Sequence, residues 1–198
     1  AGIWLEDQKQ FNEAIAKYEK ILRLSSLATP QTQVFFTASV INSVQNGNEI
    51  SPDSITIVTR EMQKLITNGW KDIGVYYTLG NFYNVLGHRM DPKYFSEAEM
   101  VFRESIALSP ANQKGYTFLA DALIGMGRYD EAVSLLQKAV ELEPRLGNSH
   151  WELAKGLAQA ERIQDARKSA ERALELDPTL ESQILPFVQS TEGSEGGR

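Results

Sequence analysis

The chain has 198 residues, enough for one domain of ordinary size or one elongated repeat array. It contains no cysteine and only two histidines, which excludes disulfide frameworks and thiolate chemistry and argues against most zinc sites and Ser-His-Asp catalysis. A formal charge of −6 argues against non-specific binding to nucleic acid or to an anionic membrane. No apolar run reaches the roughly 18–20 residues that a membrane span needs.

The first predicted helix lies near the amino terminus. Its apolar residues follow steps of three, four and three, which place them on one helical face. They are Phe11, Ala14, Tyr18 and Ile21. Just before them, Ile3-Trp4-Leu5 has the pattern of the last turn of a preceding helix. The chain opens without methionine or signal peptide, so we expect residues 1–24 to be a partial repeat cut from a longer protein.

Residues 25–70 carry two helix-start signals, Thr29-Pro30 and Ser51-Pro52-Asp53, because a capping residue precedes proline in each. Each start is followed by apolar residues at helical spacing. The two stripes are Val34, Ala38 and Ile41, and then Ile55, Val58, Met62, Leu65 and Ile66. This segment is therefore predicted to be a divergent helix pair.

The rest of the chain repeats itself with a period of 34 residues. Pro110, Pro144 and Pro178 are 34 residues apart, and each closes a similar phrase, SIALSP, AVELEP or ALELDP. The same shift aligns Leu119 with Leu153. We infer three units, 71–110, 111–144 and 145–178.

Each unit contains two helical stripes. The first helices carry Tyr76, Leu79, Gly80 and Tyr83; Tyr116, Leu119, Ala120 and Leu123; and His150, Leu153, Ala154 and Leu157. The second helices carry Phe95, Ala98, Phe102 and Ser105; Tyr129, Ala132, Leu136 and Ala139; and Ile163, Ala166, Ala170 and Ala173. Short joints such as Gly125-Met126-Gly127-Arg128 predict antiparallel neighbours. The first unit has about six extra residues near His88–Lys93, which predict a longer loop between its helices.

The period, the Leu-Gly/Ala pair, the later alanines and the closing proline resemble the tetratricopeptide repeat. That resemblance implies an all-α, right-handed superhelical solenoid of antiparallel helix pairs and a non-catalytic protein-binding function. The run 77–84, followed by Leu108-Ser109-Pro110, also resembles the C-terminal repeats of bacterial O-antigen ligase or polymerase family membrane proteins. This second resemblance implies an extracellular, cell-surface or periplasmic location; a cytoplasmic location is the alternative.

The C-terminal segment 179–189 has the pattern of the first helix of a further repeat, or of a capping helix, which Pro186 is expected to kink or end. Residues 190–198 form a polar tail. Two incomplete ends predict head-to-tail self-association, into a filament or nanotube. The residues expected to mediate it are Ile3, Trp4, Leu5, Phe11, Leu180, Ile184, Phe187 and Val188.

The alternative function is a monomeric adaptor that binds a partner peptide in a concave groove, the binding surface implied by the tetratricopeptide resemblance. The groove residues would be Tyr77, Asn81, Asn84, Thr117, Asp121, Ile124, Trp151, Lys155 and Gln159. Some members of that family hold a terminal carboxylate with such Lys and Asn side chains. The acidic Asp121 between Asn81 and Lys155 argues against that ligand here.

No set of residues predicts catalysis, a metal or a cofactor. The carboxylates of Glu97 and Glu99, and of Glu141 and Glu143, are two residues apart on helices, so they point to different sides. His150 matches Tyr76 and Tyr116 in the repeats, which indicates packing. The expected partners are the protein itself or another protein or peptide, and not nucleic acid.

Overall fold

The computed structural model describes residues 13, 16, 17, 20 and 29–192. Within 29–192 the chain forms nine α-helices, a single turn of 3-10 helix at Pro178–Leu180, and no strand. The helices are α1 (Pro30–Gln45), α2 (Pro52–Thr67), α3 (Ile73–Arg89), α4 (Tyr94–Leu108), α5 (Gln113–Gly125), α6 (Tyr129–Leu142), α7 (Gly147–Gln159), α8 (Ile163–Leu176) and α9 (Glu181–Glu192). The predicted all-α class is confirmed.

The chain divides into two compact units, residues 1–101 and 102–198, and the division falls within α4. Each unit is described by itself below. The N-terminal partial repeat, with Ile3, Trp4, Leu5 and Phe11, lies outside the described residues, as does the end of the polar tail.

Helices α1 and α2 begin at the prolines that the sequence indicated. The Thr32 backbone N–H donates to the Thr29 hydroxyl over 3.3 Å, and the Ser54 N–H donates to the Ser51 hydroxyl over 3.1 Å. An N-terminal cap of this kind stabilises a helix by about 1 kcal/mol. Asp72 caps α3 in the same manner, since its carboxylate accepts from the Gly74 N–H over 2.8 Å.

In the first unit, α1 packs against α2 and α3, and α2 packs against α3. The centre of this packing consists of apolar side chains with at most 1% of their surface exposed. They are Phe36, Val40, Val58, Met62, Leu79, Phe82 and Leu86. The predicted stripe of α2 is confirmed at Val58, Met62 and Leu65. The predicted stripe of α1 is confirmed at Ile41 but wrong at Ala38, which is exposed, and Val34 is only half-buried.

The extra residues of the repeat at 71–110 do not form the predicted longer loop. Most of them extend α3 by one turn, because α3 has 17 residues where α5 and α7 have 13. His88 is therefore in the last turn of α3, and its ring lies 4.8 Å from that of Phe95 in an edge-to-face arrangement. The hydrogen bond from the Met90 N–H to the Leu86 carbonyl ends the helix.

In the second unit, α6 packs between α5 and α7, and α7 packs against α8. The predicted stripes of the second helices are confirmed, because Phe102, Ala132, Ala139, Ala166, Ala170 and Ala173 have no exposed surface. Tyr129, with 38% of its surface exposed, and Ile163, which is half-buried, are the exceptions. Connections of three residues at 126–128 and 160–162 make α5–α6 and α7–α8 antiparallel pairs. The turn requires a positive φ at one position, which is 74° at Gly127 and 58° at its repeat counterpart Glu161. Glycine adopts this conformation without steric strain.

The C-terminal helix α9 closes the second unit. Leu180 and Ile184 pack with Trp151, Ala154, Ala170 and Ala173 in one apolar cluster, and Phe187 and Val188 lie against it. Ile184 has no exposed surface. The helix continues through Pro186 to Glu192. Of the two effects expected of this proline, a kink or the end of the helix, the end does not occur.

A hydrogen bond recurs with the period of the repeat. The Tyr116 hydroxyl donates to the Pro110 carbonyl over 2.9 Å, and Nε2 of His150 lies 3.0 Å from the Pro144 carbonyl oxygen. The carbonyl can only accept, so the His150 ring carries its proton on Nε2. His150 is half-buried, and its predicted equivalence to Tyr116 is matched by the equivalent hydrogen bond.

We expect replacement of His150 by phenylalanine to lower the free energy of unfolding by about 1 kcal/mol, because the ring would remain but its donor would be lost. Replacement by tyrosine should cost much less, since Tyr116 makes the equivalent bond. Urea denaturation followed by circular dichroism measures both. Equal stability of the two variants would contradict the structural role of the Nε2 hydrogen bond.

Candidate protein-binding surfaces

The predicted groove residues of the second unit lie on α5 and α7. Thr117, Asp121 and Ile124 are half-buried on one face of α5, while Lys155 and Gln159 are exposed on α7. The Thr117 hydroxyl bonds to the Gln113 carbonyl over 3.3 Å. The polar and charged side chains on this face take no part in the apolar core.

Trp151 lies in the core, contrary to its predicted place in a groove. Its indole ring is 8% exposed and meets the ring of Phe187 edge-to-face at a centroid distance of 5.2 Å. The ammonium group of Lys155 lies 5.7 Å from the indole centroid and donates to Glu152 over 2.9 Å. At this position the exposed group is therefore the Lys155 ammonium, and Trp151 and Glu152 set its orientation.

In the first unit the structure separates the three predicted groove residues of α3. Tyr77 and Asn81 are half-buried. Asn84 is only 2% exposed, so its prediction as a surface residue is wrong. The extension of α3 by one turn places Asn84 in the middle of the helix, where Leu86 and Phe82 belong to the core.

The residues predicted for self-association at the C-terminus are used within the chain. Leu180 and Ile184 are buried in the cluster that α9 forms, and Phe187 and Val188 are half-buried beside it. The outer face of α9 presents Leu185, which is 40% exposed. Their N-terminal counterparts, Ile3, Trp4, Leu5 and Phe11, lie outside the described residues.

An apolar cleft that the sequence did not indicate lies beside α1. Its volume is about 350 Å³, and it is lined by Phe35 and Ala38 of α1, by Trp70 and Asp72 of the α2–α3 connection, and by neighbouring side chains. Phe35 is 59% exposed and Trp70 is 40% exposed. The backbone N–H of Trp70 donates to the Leu65 carbonyl over 3.0 Å, which fixes the α2–α3 connection. We call this the aromatic cleft.

A larger cleft of about 720 Å³ lies between α2 and the start of α4, with Tyr83 of α3 in its lining. On α2, Arg60 and Lys64 both donate to Oε1 of Glu61, over 2.7 and 3.0 Å. Burial alone raises the pKa of Glu61, but the hydrogen bonds and the positive charges of Arg60 and Lys64 together outweigh it and lower the pKa below its usual value. Glu61 is therefore negatively charged near neutral pH and is bonded to both cations, Arg60 and Lys64.

Two classes of site are absent from the described residues. No group of three or more histidine, aspartate or glutamate side chains within 29–192 is placed to hold a metal ion. None of the helices described there is long and apolar enough to cross a bilayer.

Comparison with known proteins identifies the repeat. Residues 93–157 match the model of a family described as tetratricopeptide repeat. Residues 93–157 thus carry the tetratricopeptide repeat, as the sequence predicted. No curated protein matches the chain, and nothing in the comparisons supports the predicted relationship to O-antigen ligases.

Solved structures of tetratricopeptide proteins share the fold. A thermophilic tetratricopeptide protein of Thermus thermophilus is 17% identical, with a TM-score of 0.68, over 96% of this chain and 94% of that one. MamA of Desulfovibrio magneticus is 18% identical, with a TM-score of 0.57, over 87% and 96%. The first such domain of Spaghetti, bound to an HSP90 peptide, is 18% identical, with a TM-score of 0.53, over 64% and 97%. At these identities the similarity establishes the fold alone.

Proposed function

We propose that this protein is a protein-interaction scaffold that binds an apolar side chain of a partner segment in the aromatic cleft. The observation that carries the proposal is the exposure of Phe35 and Trp70 on the two sides of one cleft. Aromatic side chains are enriched at the centres of protein interfaces, where they contribute large contact areas. The proposal keeps the predicted adaptor function but places the binding surface at the aromatic cleft and not at the predicted groove residues.

The support comes from the way the cleft is built. Val75 in its lining is 1% exposed, so this wall is fixed by the core of the first unit. The Asp72 carboxylate caps α3, which fixes its position at the edge. A preformed cleft costs little ordering entropy when a partner binds. The peptide-bound domain of Spaghetti is a precedent for peptide recognition by this fold.

The test is selection of short random peptides displayed on phage against the immobilised chain. We expect enriched peptides to carry a large apolar residue, and their binding to fall by at least about tenfold when Phe35 or Trp70 is replaced by serine. Met100→Ser is the matched control, because Met100 is a similarly exposed apolar residue, at 57%, on a different helix. Failure to enrich any sequence, or equal binding by all three variants, would contradict the proposal.

Self-association through the chain ends is the second hypothesis, and the exposed Leu185 on the outer face of α9 favours it. Burial of Leu180 and Ile184 in the same chain counts against these two residues as contacts between copies. Sedimentation velocity over a range of concentrations decides the matter. Concentration-dependent growth that Leu185→Ser abolishes would support end-to-end contact, whereas a single monomeric species at all concentrations would exclude it.

A further inference from the structure

The cleft between α2 and α4 is a built feature of the first unit. Helix α2 has two stripes at helical spacing. One stripe, which includes Val58 and Met62, is buried in the core. The other, which includes Thr59 and Gln63, faces the cleft of about 720 Å³. A volume of this size is in the range of clefts that bind ligands.

The floor of the cleft is aromatic. Tyr83 is 3% exposed, and its ring is nearly parallel to that of Tyr94, with centroids 6.2 Å apart and an interplanar angle of 11°. Gln63 donates its side-chain N–H to the Tyr83 hydroxyl over 3.5 Å. Burial raises the pKa of Tyr83, so its hydroxyl stays protonated near neutral pH. The aromatic surface that a ligand can reach is therefore chiefly that of half-buried Tyr94, over whose ring the Lys93 ammonium, paired with Asp91, lies 5.1 Å from the centroid.

The two walls carry opposite charge. Arg60 and Lys64 on α2 share the single carboxylate of Glu61, which leaves one positive charge without compensation. Their side chains are 48% and 56% exposed, so both can reach a ligand. On the opposite wall, Glu97 of α4 has no cation within ion-pair distance among the described residues.

We propose that this cleft, lined by Tyr83, Tyr94, Glu97, Arg60 and Lys64, is a second protein-binding surface, for a segment with an aromatic or aliphatic side chain between an acidic and a basic one. The apolar side chain packs against the accessible part of Tyr94. The acidic side chain pairs with Arg60 and Lys64, and the basic one pairs with Glu97. This arrangement disfavours a uniformly acidic segment, which Glu97 repels, and a uniformly basic one, which Arg60 and Lys64 repel.

The dimensions set the spacing of the three side chains. The cleft has a volume of about 720 Å³, which accommodates a short extended segment. An extended chain advances about 3.3 Å per residue, so side chains four positions apart are separated by about 13 Å. The probe that follows is the peptide acetyl-Asp-Gly-Phe-Gly-Lys-amide, with acetyl-Ser-Gly-Phe-Gly-Ser-amide as its uncharged control.

The test is titration of the isotopically labelled chain with each peptide, followed by amide chemical shifts. We expect the charged probe to shift amides around Thr59, Gln63 and Tyr94, and to bind about fivefold more tightly than its control, as two exposed ion pairs allow. Replacing Arg60 or Glu97 with glutamine should each remove part of that difference. Arg60→Gln leaves the bond between Lys64 and Glu61 in place.

Filling the cleft gives a second measurement. Thr56→Trp places an indole at the exposed edge of the cleft and should abolish the shifts. Ser134→Trp is the control, because Ser134 is also exposed on a helix and donates to the carbonyl four residues earlier, as Thr56 does. Equal affinity for both peptides, shifts that survive Thr56→Trp, or no shifts at millimolar probe would each overturn the proposal. The double variant Phe35→Ser/Trp70→Ser should bind the probe normally, which separates this surface from the aromatic cleft.

Discussion

Replacing Ile184 with alanine is expected to destabilise the C-terminal end of the protein by about 2–5 kcal/mol. Ile184 has no exposed surface and lies in the cluster that joins α9 to Trp151 and Ala170. Truncation leaves a cavity under α9 and removes much of the apolar contact that holds this helix. Because stability in repeat arrays is nearly a sum of neighbouring interfaces, the loss should be greatest at this end.

Hydrogen exchange of the amides in 181–190 and urea denaturation measure the effect, and Leu185→Ala is the matched control. Leu185 is the next residue of the same helix but is 40% exposed, so its truncation should cost well under about 1 kcal/mol. Ile184→Ala should also increase association between chains, since it uncovers apolar surface. Wild-type exchange rates in the Ile184 variant would show that α9 is not held by this cluster.

The second large effect is expected at Gly87. A Cβ atom at this position would lie 2.6 Å from Cε1 and 2.7 Å from Cδ1 of the Phe95 ring. Phe95 is 3% exposed, so its ring has little room to move. We expect Gly87→Ala to cost about 1–3 kcal/mol by overpacking, in spite of the higher helix propensity of alanine.

A double-mutant cycle tests this cause directly. In a Phe95→Leu background the neighbouring ring is gone, so Gly87→Ala should be nearly neutral or stabilising when measured by urea denaturation. The same cost in both backgrounds would mean that contact with Phe95 is not the reason for glycine at position 87.

The sequence predicted the repeated part of the fold well because the period supplied independent copies of one pattern. Ala132, Ala166 and Ala170 were assigned to packing faces by their spacing, and all three have no exposed surface. His150 was interpreted through its counterpart Tyr116, and the two side chains make equivalent hydrogen bonds. In α1 and α3, where the period fails, the predictions for Ala38 and Asn84 fail as well.

The errors have identifiable physical causes. Helix α1 is apolar on several sides, so spacing could not choose between the stripe with Ala38 and the buried stripe with Phe36 and Val40. The extra turn of α3 was predicted as loop because Pro92 and the residues before it are consistent with either a loop or the end of a helix. Trp151 was assigned to a surface because the sequence did not show that Phe187 would cover it. Both clefts depend on contacts between helices, which one sequence does not contain.

The packing of α9 has a consequence for how such a protein can change length. The buried residues of the α9 cluster that lie outside 179–192 all belong to residues 145–178, which form a single repeat. Ile184 also falls 34 residues after His150, so α9 takes the register of a first helix. The contacts of α9 thus depend on the one unit before it and not on the number of units before that one. Duplication of a whole 34-residue unit ahead of that one would preserve every one of those contacts, so an array built in this way can lengthen by single repeats without new contacts for α9.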